Sequence, residues 1–197
     1  MTTEPSLYVA VEGPTDAALI RAIVGKDISA RMQVFVGRGR VSLATLGRNL
    51  LVHEGGPVLL VMDSDTRNRH KVEEMRSMAR LALSGVVSGR FPSSASSPLY
   101  DVFAFVPEIA VVFFEAPDVL RRLLGDVVTE DRLREGLLSP KETLSQLLRE
   151  SGRLPNDEAI LSAASEPEVA EALASGKQAS DLVGTIGRMM ANEPVMR

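Results

Sequence analysis

The 197-residue sequence contains no cysteine and no tryptophan. Disulfides are therefore excluded, and so is any cysteine-ligated zinc site. Aromatic residues make up only 4% of the chain. Basic charge is not in excess either: 22 Lys and Arg stand against 26 Asp and Glu, a net charge of −4. That balance argues against a protein that coats DNA through a broad basic surface. The longest apolar stretch, residues 102–114, is interrupted by Pro107 and Glu108 and is too short to span a bilayer. The first residues, Met1-Thr2-Thr3-Glu4-Pro5-Ser6, are polar and lack the basic region of a secretory signal. The expected location is the cytoplasm, away from membranes. No Walker A sequence occurs, so the chain carries no P-loop ATPase. His53 and His70 have no cysteine or histidine companions at ligand spacing, and neither is assigned to a metal.

Hydrophobic residues account for 45% of the sequence, enough for one domain, or one domain with a helical extension. The chain is organised around residues 7–24. Leu7-Tyr8-Val9-Ala10-Val11 is short, apolar and β-rich, and it runs into Glu12-Gly13-Pro14. A central parallel strand covered by helices on both faces reads this way. Pro14 suits the first turn of a helix, Thr15 and Asp16 lie in that turn, and Ala18, Leu19, Ala22 and Ile23 follow at helical spacing. Glu12 and Asp16 then project from one strand-to-helix turn, where open α/β sheets hold their ligands.

A second turn has the same form. Val58-Leu59-Leu60-Val61-Met62 is a buried-strand run that ends in Asp63-Ser64-Asp65-Thr66. Four carboxylates from two strand ends repel one another unless something positive holds them, and a hard divalent cation such as magnesium does so with oxygen ligands. The alternative is a helix start at Glu12 and Asp16 and a solvated loop at residues 63–65.

Residues 31–36 read as the second strand. Gly37-Arg38-Gly39-Arg40 follows as a turn with two forward-pointing arginines, Arg38 and Arg40, and glycines that allow a ligand close approach. Residues 41–52 and 67–87 read as helices. The second of these begins basic, with Arg67, Arg69, His70 and Lys71, which gives either a salt-bridged solvated face or a phosphate-contacting flank. Residues 85–98 are rich in Gly, Ser and Pro and read as a mobile loop. Residues 101–106 form the fourth strand, ending in Pro107-Glu108. Residues 109–124 are expected to be helical with a break near Pro117, and the chain is expected to be helical from Glu130 onward. Ser139-Pro140-Lys141-Glu142 has the spacing of a capping box with Ser139 as N-cap. Further helices open at Asp157-Glu158, Pro167-Glu168 and Ser180-Asp181.

Val11-Glu-Gly-Pro-Thr-Asp16 followed by Val61-Met-Asp-Ser-Asp65 resembles the Toprim domain, with its strand-end Glu and its Asp-x-Asp. That fold occurs in topoisomerases, primases, recombination proteins and the OLD (overcoming lysogenization defect) nucleases. The Glu-Gly-x-x-Asp form, together with Phe105-Val-Pro-Glu-Ile-Ala110, looks most like the OLD branch, where a Pro-Glu-Ile-Glu-like segment follows the next strand. Here Ala110 stands at the second acidic position, so Glu108 alone carries over. The zinc modules of Toprim primases and recombination mediators cannot be built without cysteine. Neither Tyr8, inside a strand, nor Tyr100, at the start of one, suits a topoisomerase nucleophile.

The resemblance implies an α/β, Toprim/Rossmann-like fold: a mostly parallel central sheet of about four strands flanked by helices, with a C-terminal helical extension. It implies a catalytic domain over residues 1–125 and an extension over residues 126–197. It implies a nuclease that uses two Mg2+ or Mn2+ ions. Glu12, Asp16, Asp63, Asp65 and Glu108 would be the ligands, and Lys141 would join Glu12, Asp63 and Asp65 in catalysis. Arg38, Arg40, Arg67 and Arg69 would contact nucleic acid, DNA before RNA. For Glu108 the plain alternative is a helix N-terminal acid, and for Lys141 a solvated lysine. OLD nucleases fuse an ATPase before the Toprim domain; here the Toprim motif lies at the N-terminus, so an ATPase or sensor is expected on a separate chain, and oligomers stay open. The alternative function is a non-catalytic Toprim-like module that binds nucleic acid or a partner and uses its acids structurally.

Overall fold

Four apolar segments form a four-stranded, all-parallel sheet in the order β2-β1-β3-β4. The strands are β1 (Leu7–Val11), β2 (Met32–Val36), β3 (Val58–Asp63) and β4 (Tyr100–Phe105). The computed structural model describes residues 5–87 and 99–191. Most of the expected Gly/Ser/Pro-rich loop, residues 88–98, lies outside the described residues. Among the described residues no helix is long and apolar enough to cross a membrane.

The continuous apolar runs follow from burial on both faces of the sheet. Successive strand side chains point to opposite sides, and here both sides are dry. Leu7, Val9, Val11, Leu59, Val61, Phe103 and Phe105 enter one core cluster. Tyr8, Ala10, Val58, Leu60, Met62, Val102 and Ala104 enter the other. The second cluster is closed by α2 (Arg40–His53) and α3 (Arg69–Val87). The first is closed by α1 (Pro14–Ser29) and by the helices that follow β4: α4 (Val111–Phe114), α5 (Pro117–Leu124), α6 (Glu130–Gly136), α7 (Pro140–Ser151), α8 (Asp157–Ala164), α9 (Pro167–Ala174) and α10 (Lys177–Ala191). The C-terminal helices thus share one face of the sheet with α1, with α10 lying against β1 and β4.

The expected break at Pro117 separates α4 from α5. Several details differ from the sequence reading. Helix α1 continues past residue 24 and kinks at Gly25, whose φ of 74° suits a residue without Cβ. Helix α10 starts at Lys177, three residues before the expected Ser180-Asp181 start. Ser139 occupies the N-cap position of α7, but its side chain makes no capping bond. Pro140 has no N–H, and the next amide, that of Lys141, donates to the carboxylate of Glu108 at 2.6 Å. An acid from another strand end therefore caps this helix in place of the local box. Gly136 ends α6 where a Cβ would sit 1.9 Å from the Phe114 ring. Only glycine allows α6 to meet α4 this closely, and the turn into α7 depends on that approach.

Candidate metal centre

In the sheet order β2-β1-β3-β4 the connections run outward in opposite directions from β1 and β3. A crevice opens at such a switch point, beyond the carboxyl ends of the strands. Glu12 directly follows β1, Asp63 ends β3, and Glu108 lies just past β4, beyond the cis Val106–Pro107 peptide. The pairing of β1 with β3 stops at Ala10 and Leu60. Beyond it the Glu12 carboxylate takes over, accepting the Asp63 N–H at 3.2 Å. Glu12 therefore bridges the gap between the two diverging strands.

Asp63 is buried, with 6% of its surface exposed. Its Oδ1 accepts the Ile109 N–H at 2.8 Å, and its Oδ2 accepts from Lys141 Nζ at 2.6 Å. The following turn is fastened to the exit of β4. Ser64 N–H donates to the Phe105 carbonyl at 3.0 Å and Asp65 N–H to the Pro107 carbonyl at 2.8 Å. Ser64 Oγ donates to the Thr66 carbonyl at 2.7 Å. Asp65 takes a left-handed conformation, φ 51°, which aspartate tolerates better than most residues. As a result one carboxylate oxygen each of Asp63, Asp65 and Glu108 lies within 4.8 Å of the others.

Two cations flank this triad. Arg40, at the start of α2, donates through Nη2 to Asp65 Oδ2 at 2.5 Å and to the Asp63 carbonyl at 2.7 Å, and its Nε lies 3.7 Å from Glu12 Oε1. Lys141 approaches from the other side, with Nζ also 3.4 Å from Glu108 Oε2. Burial alone would lower the Lys141 pKa. The hydrogen bond to Asp63 and the charges of Asp63 and Glu108 outweigh it and raise the pKa above its ordinary value.

Asp16 sits in the first turn of α1, and its Oδ2 accepts the Gly13 N–H at 2.9 Å. Its pKa is raised to about 6, first by burial and then by the charge of Asp63, while Lys141 and the Gly13 bond oppose the rise. Glu12 and Asp16 stand outside the triad, yet they line one cleft of about 430 Å³ with Asp63 and Lys141.

The sequence-predicted residues therefore separate into groups. Asp63, Asp65, Glu108 and Lys141 come together, with Glu12 and Asp16 beside them. Arg40, expected to face nucleic acid, is engaged with the acids themselves. Arg38 is exposed on the turn after β2. Arg67 and Arg69 are exposed and line a neighbouring cleft of about 780 Å³ with Arg76 and Lys177. Sequence reasoning missed the Ile109 amide on Asp63 and the Glu108 cap on α7. It also missed the apolar wall of the acidic cleft, made by Ile109, Ala110, Phe113 and Ile160. Only the residue pattern after β4 carried any signal for these.

An all-oxygen carboxylate set is the donor chemistry that hard divalent cations take. The triad fits such an ion in donor type and convergence.

No family model matches the sequence, and neither does any curated protein. Among solved structures, the chain is similar to the C-terminal region of the OLD protein of Xanthomonas campestris pv. campestris, in a structure phased with iodine. The TM-score is 0.51 at 15% identity, covering 95% of this chain and 96% of that one. A mercury-phased structure of the same region gives a TM-score of 0.47 at 15% identity, covering 95% and 97%. The fold of this chain is α/β and Toprim-like, similar to that of the OLD C-terminal region.

Proposed function

We propose that this chain is a metal-dependent nuclease of the Toprim/OLD type, hydrolysing phosphodiester bonds. The observation that carries the reading is the convergence of Asp63, Asp65 and Glu108 oxygens within 4.8 Å at the switch point of this fold. In this reading Asp63, Asp65 and Glu108 hold Mg2+ or Mn2+, and Glu12 and Asp16 extend the acid set along the cleft for a second ion. Such ions, when bound, supply the positive centre for the charge developing on phosphate and an acidified water. Lys141 then releases Asp63 and steadies the phosphate, while Arg40 limits repulsion among the carboxylates from the exposed side. Residues 1–125 carry the ligands and residues 126–197 supply the lysine. DNA is favoured over RNA, with Arg38, Arg67 and Arg69 as flanking phosphate contacts. A separately encoded ATPase or sensor regulates the activity in the cytoplasm.

A second reading, a non-catalytic binding module, has one observation in its favour. Asp63 is already satisfied by the Ile109 amide and Lys141, as a structural aspartate would be. Cleavage of plasmid DNA and of RNA in magnesium, manganese or chelator, by wild type and Asp63→Asn, separates the two. The nuclease reading expects metal-dependent cleavage that the variant lacks. Absence of cleavage by wild type with every metal, alone or with a candidate ATPase, supports the binding module.

A further inference from the structure

The acidic cleft has two kinds of lining. The Glu12, Asp16 and Asp63 carboxylates and Lys141 share it with the apolar residues Leu19, Ile109, Ala110, Phe113, Leu144 and Ile160. Every one of these six is buried. All six also belong to the main hydrophobic core, and the face they turn to the cleft is an apolar surface that hydrated ions and a phosphate do not themselves require. The wall suits a flat apolar group covalently attached to the phosphate bound at the carboxylates. At about 430 Å³ the cleft lies at the lower end of the roughly 300–1,000 Å³ range of small-ligand pockets, with room for one nucleoside. Ala110 adds to the wall at the position where the resemblance leads one to expect an acid. Thr15, Ser145 and Asp157 on the lining offer polar groups for the edge of a base.

We propose that the apolar lining of this cleft receives an unpaired nucleobase adjoining the phosphodiester, so that the substrate is single-stranded or locally unpaired nucleic acid. The inference rests on the nuclease reading and deepens it. A base stacked within a duplex cannot enter a cleft, and extruding it costs least where pairing is already lost.

The test uses the full chain with Ca2+ in place of Mg2+, and oligonucleotides carrying one 2-aminopurine. The strand is offered single, fully paired, or opposite an abasic position. Affinity is read by anisotropy, extrusion by 2-aminopurine fluorescence, and enclosure by resistance to acrylamide quenching. Unpaired forms are expected to bind about tenfold or more tightly than the paired form, with brighter and shielded 2-aminopurine. Ser145→Phe on α7 and Thr15→Phe on α1 fill the cleft from different walls, and thermal unfolding checks that each is folded. Both are expected to bring the preference for unpaired strand down toward one and to remove the shielding. Equal affinity for paired and unpaired strands with exposed 2-aminopurine overturns the proposal while leaving the nuclease reading standing if duplex is cleaved. Retained preference in both filled variants also overturns it. Failure to bind or cleave any nucleic acid removes the nuclease reading, and this inference with it.

Discussion

The two flanks of the carboxylate triad differ, although both are an aspartate facing a cation. On the Lys141 flank Asp63 is buried and each of its oxygens has a donor. On the Arg40 flank the side chains of Arg40 and Asp65 are 38% and 63% exposed. Water screens the second pair, and such pairs contribute little. Water is largely excluded from Asp63, so removing its partner or its charge leaves a polar group that nothing replaces. Two residues of chain thus separate an aspartate fixed by the fold from one held chiefly by a surface arginine. In the proposed reading the fixed aspartate organises the site, and the exposed one, paired with Arg40 across water-accessible surface, completes the coordination of an ion.

The largest expected effect comes from breaking the buried flank. Asp63→Asn should lower metal-dependent cleavage by orders of magnitude. In chelator it should also reduce stability by about 1–3 kcal/mol, because the Lys141 ion pair is lost; the half-exposed lysine keeps this below the cost of a fully buried pair. Thermal unfolding in chelator measures the second effect separately from the first. Unchanged stability would mean that the buried flank is no different from the exposed one.

Gly136→Ala tests how Lys141 is delivered. The added Cβ would overlap the Phe114 ring, and overpacking of this kind costs about 1–3 kcal/mol. Urea unfolding should show the loss, and cleavage should fall with it as the turn into α7 shifts.

Acidity sharpens the comparison, because Asp16 shares the cleft with the buried flank. Its folded pKa of about 6 lies above the ordinary 3.8, so the folded state holds its proton more tightly than the unfolded one. This contribution to stability is fully present below about pH 3.8 and is lost as pH rises through about 6. Water reaching this half-buried carboxyl reduces the size of the loss. Asp16→Asn should flatten the unfolding profile between these pH values. A profile as steep as that of wild type would place the titration elsewhere.

The smallest effect belongs to the exposed flank. Arg40→Met should change stability by about 1 kcal/mol or less, and the change should shrink as salt is raised. A salt-insensitive loss as large as that of Asp63→Asn would erase the distinction between the flanks.

Much of the sheet could be read directly because parallel strands buried on both faces leave unbroken apolar runs. Leu7–Val11 and Val58–Asp63 are such runs, and the acids at their ends stand out for that reason. The partners of those acids were harder to read. Lys141 meets Asp63 across 78 residues of chain, and nothing local around Ser139-Pro140-Lys141 distinguishes it from a solvated lysine. The local signal there was a capping box, and it misled, since Glu108 takes the amide that a cap would have taken. Arg38 and Arg40 look alike in sequence, and only the start of α2 decides which of them reaches the acids. The amphipathic C-terminal helices were legible as helices. That they cover one face of the sheet together with α1 depends on long-range packing that no short window encodes.

The central claim is that Asp63, Asp65 and Glu108 together hold a divalent cation. Its most direct test is Mn2+ binding followed by the loss of the free-ion paramagnetic resonance signal, in wild type and in Asp65→Asn. That substitution removes a charge from the exposed flank and leaves the buried one intact. The account predicts saturable binding by the wild type and at least about tenfold weaker binding by the variant, with unchanged folding. Equal affinity in the two proteins, or no saturable binding by the wild type, would contradict it.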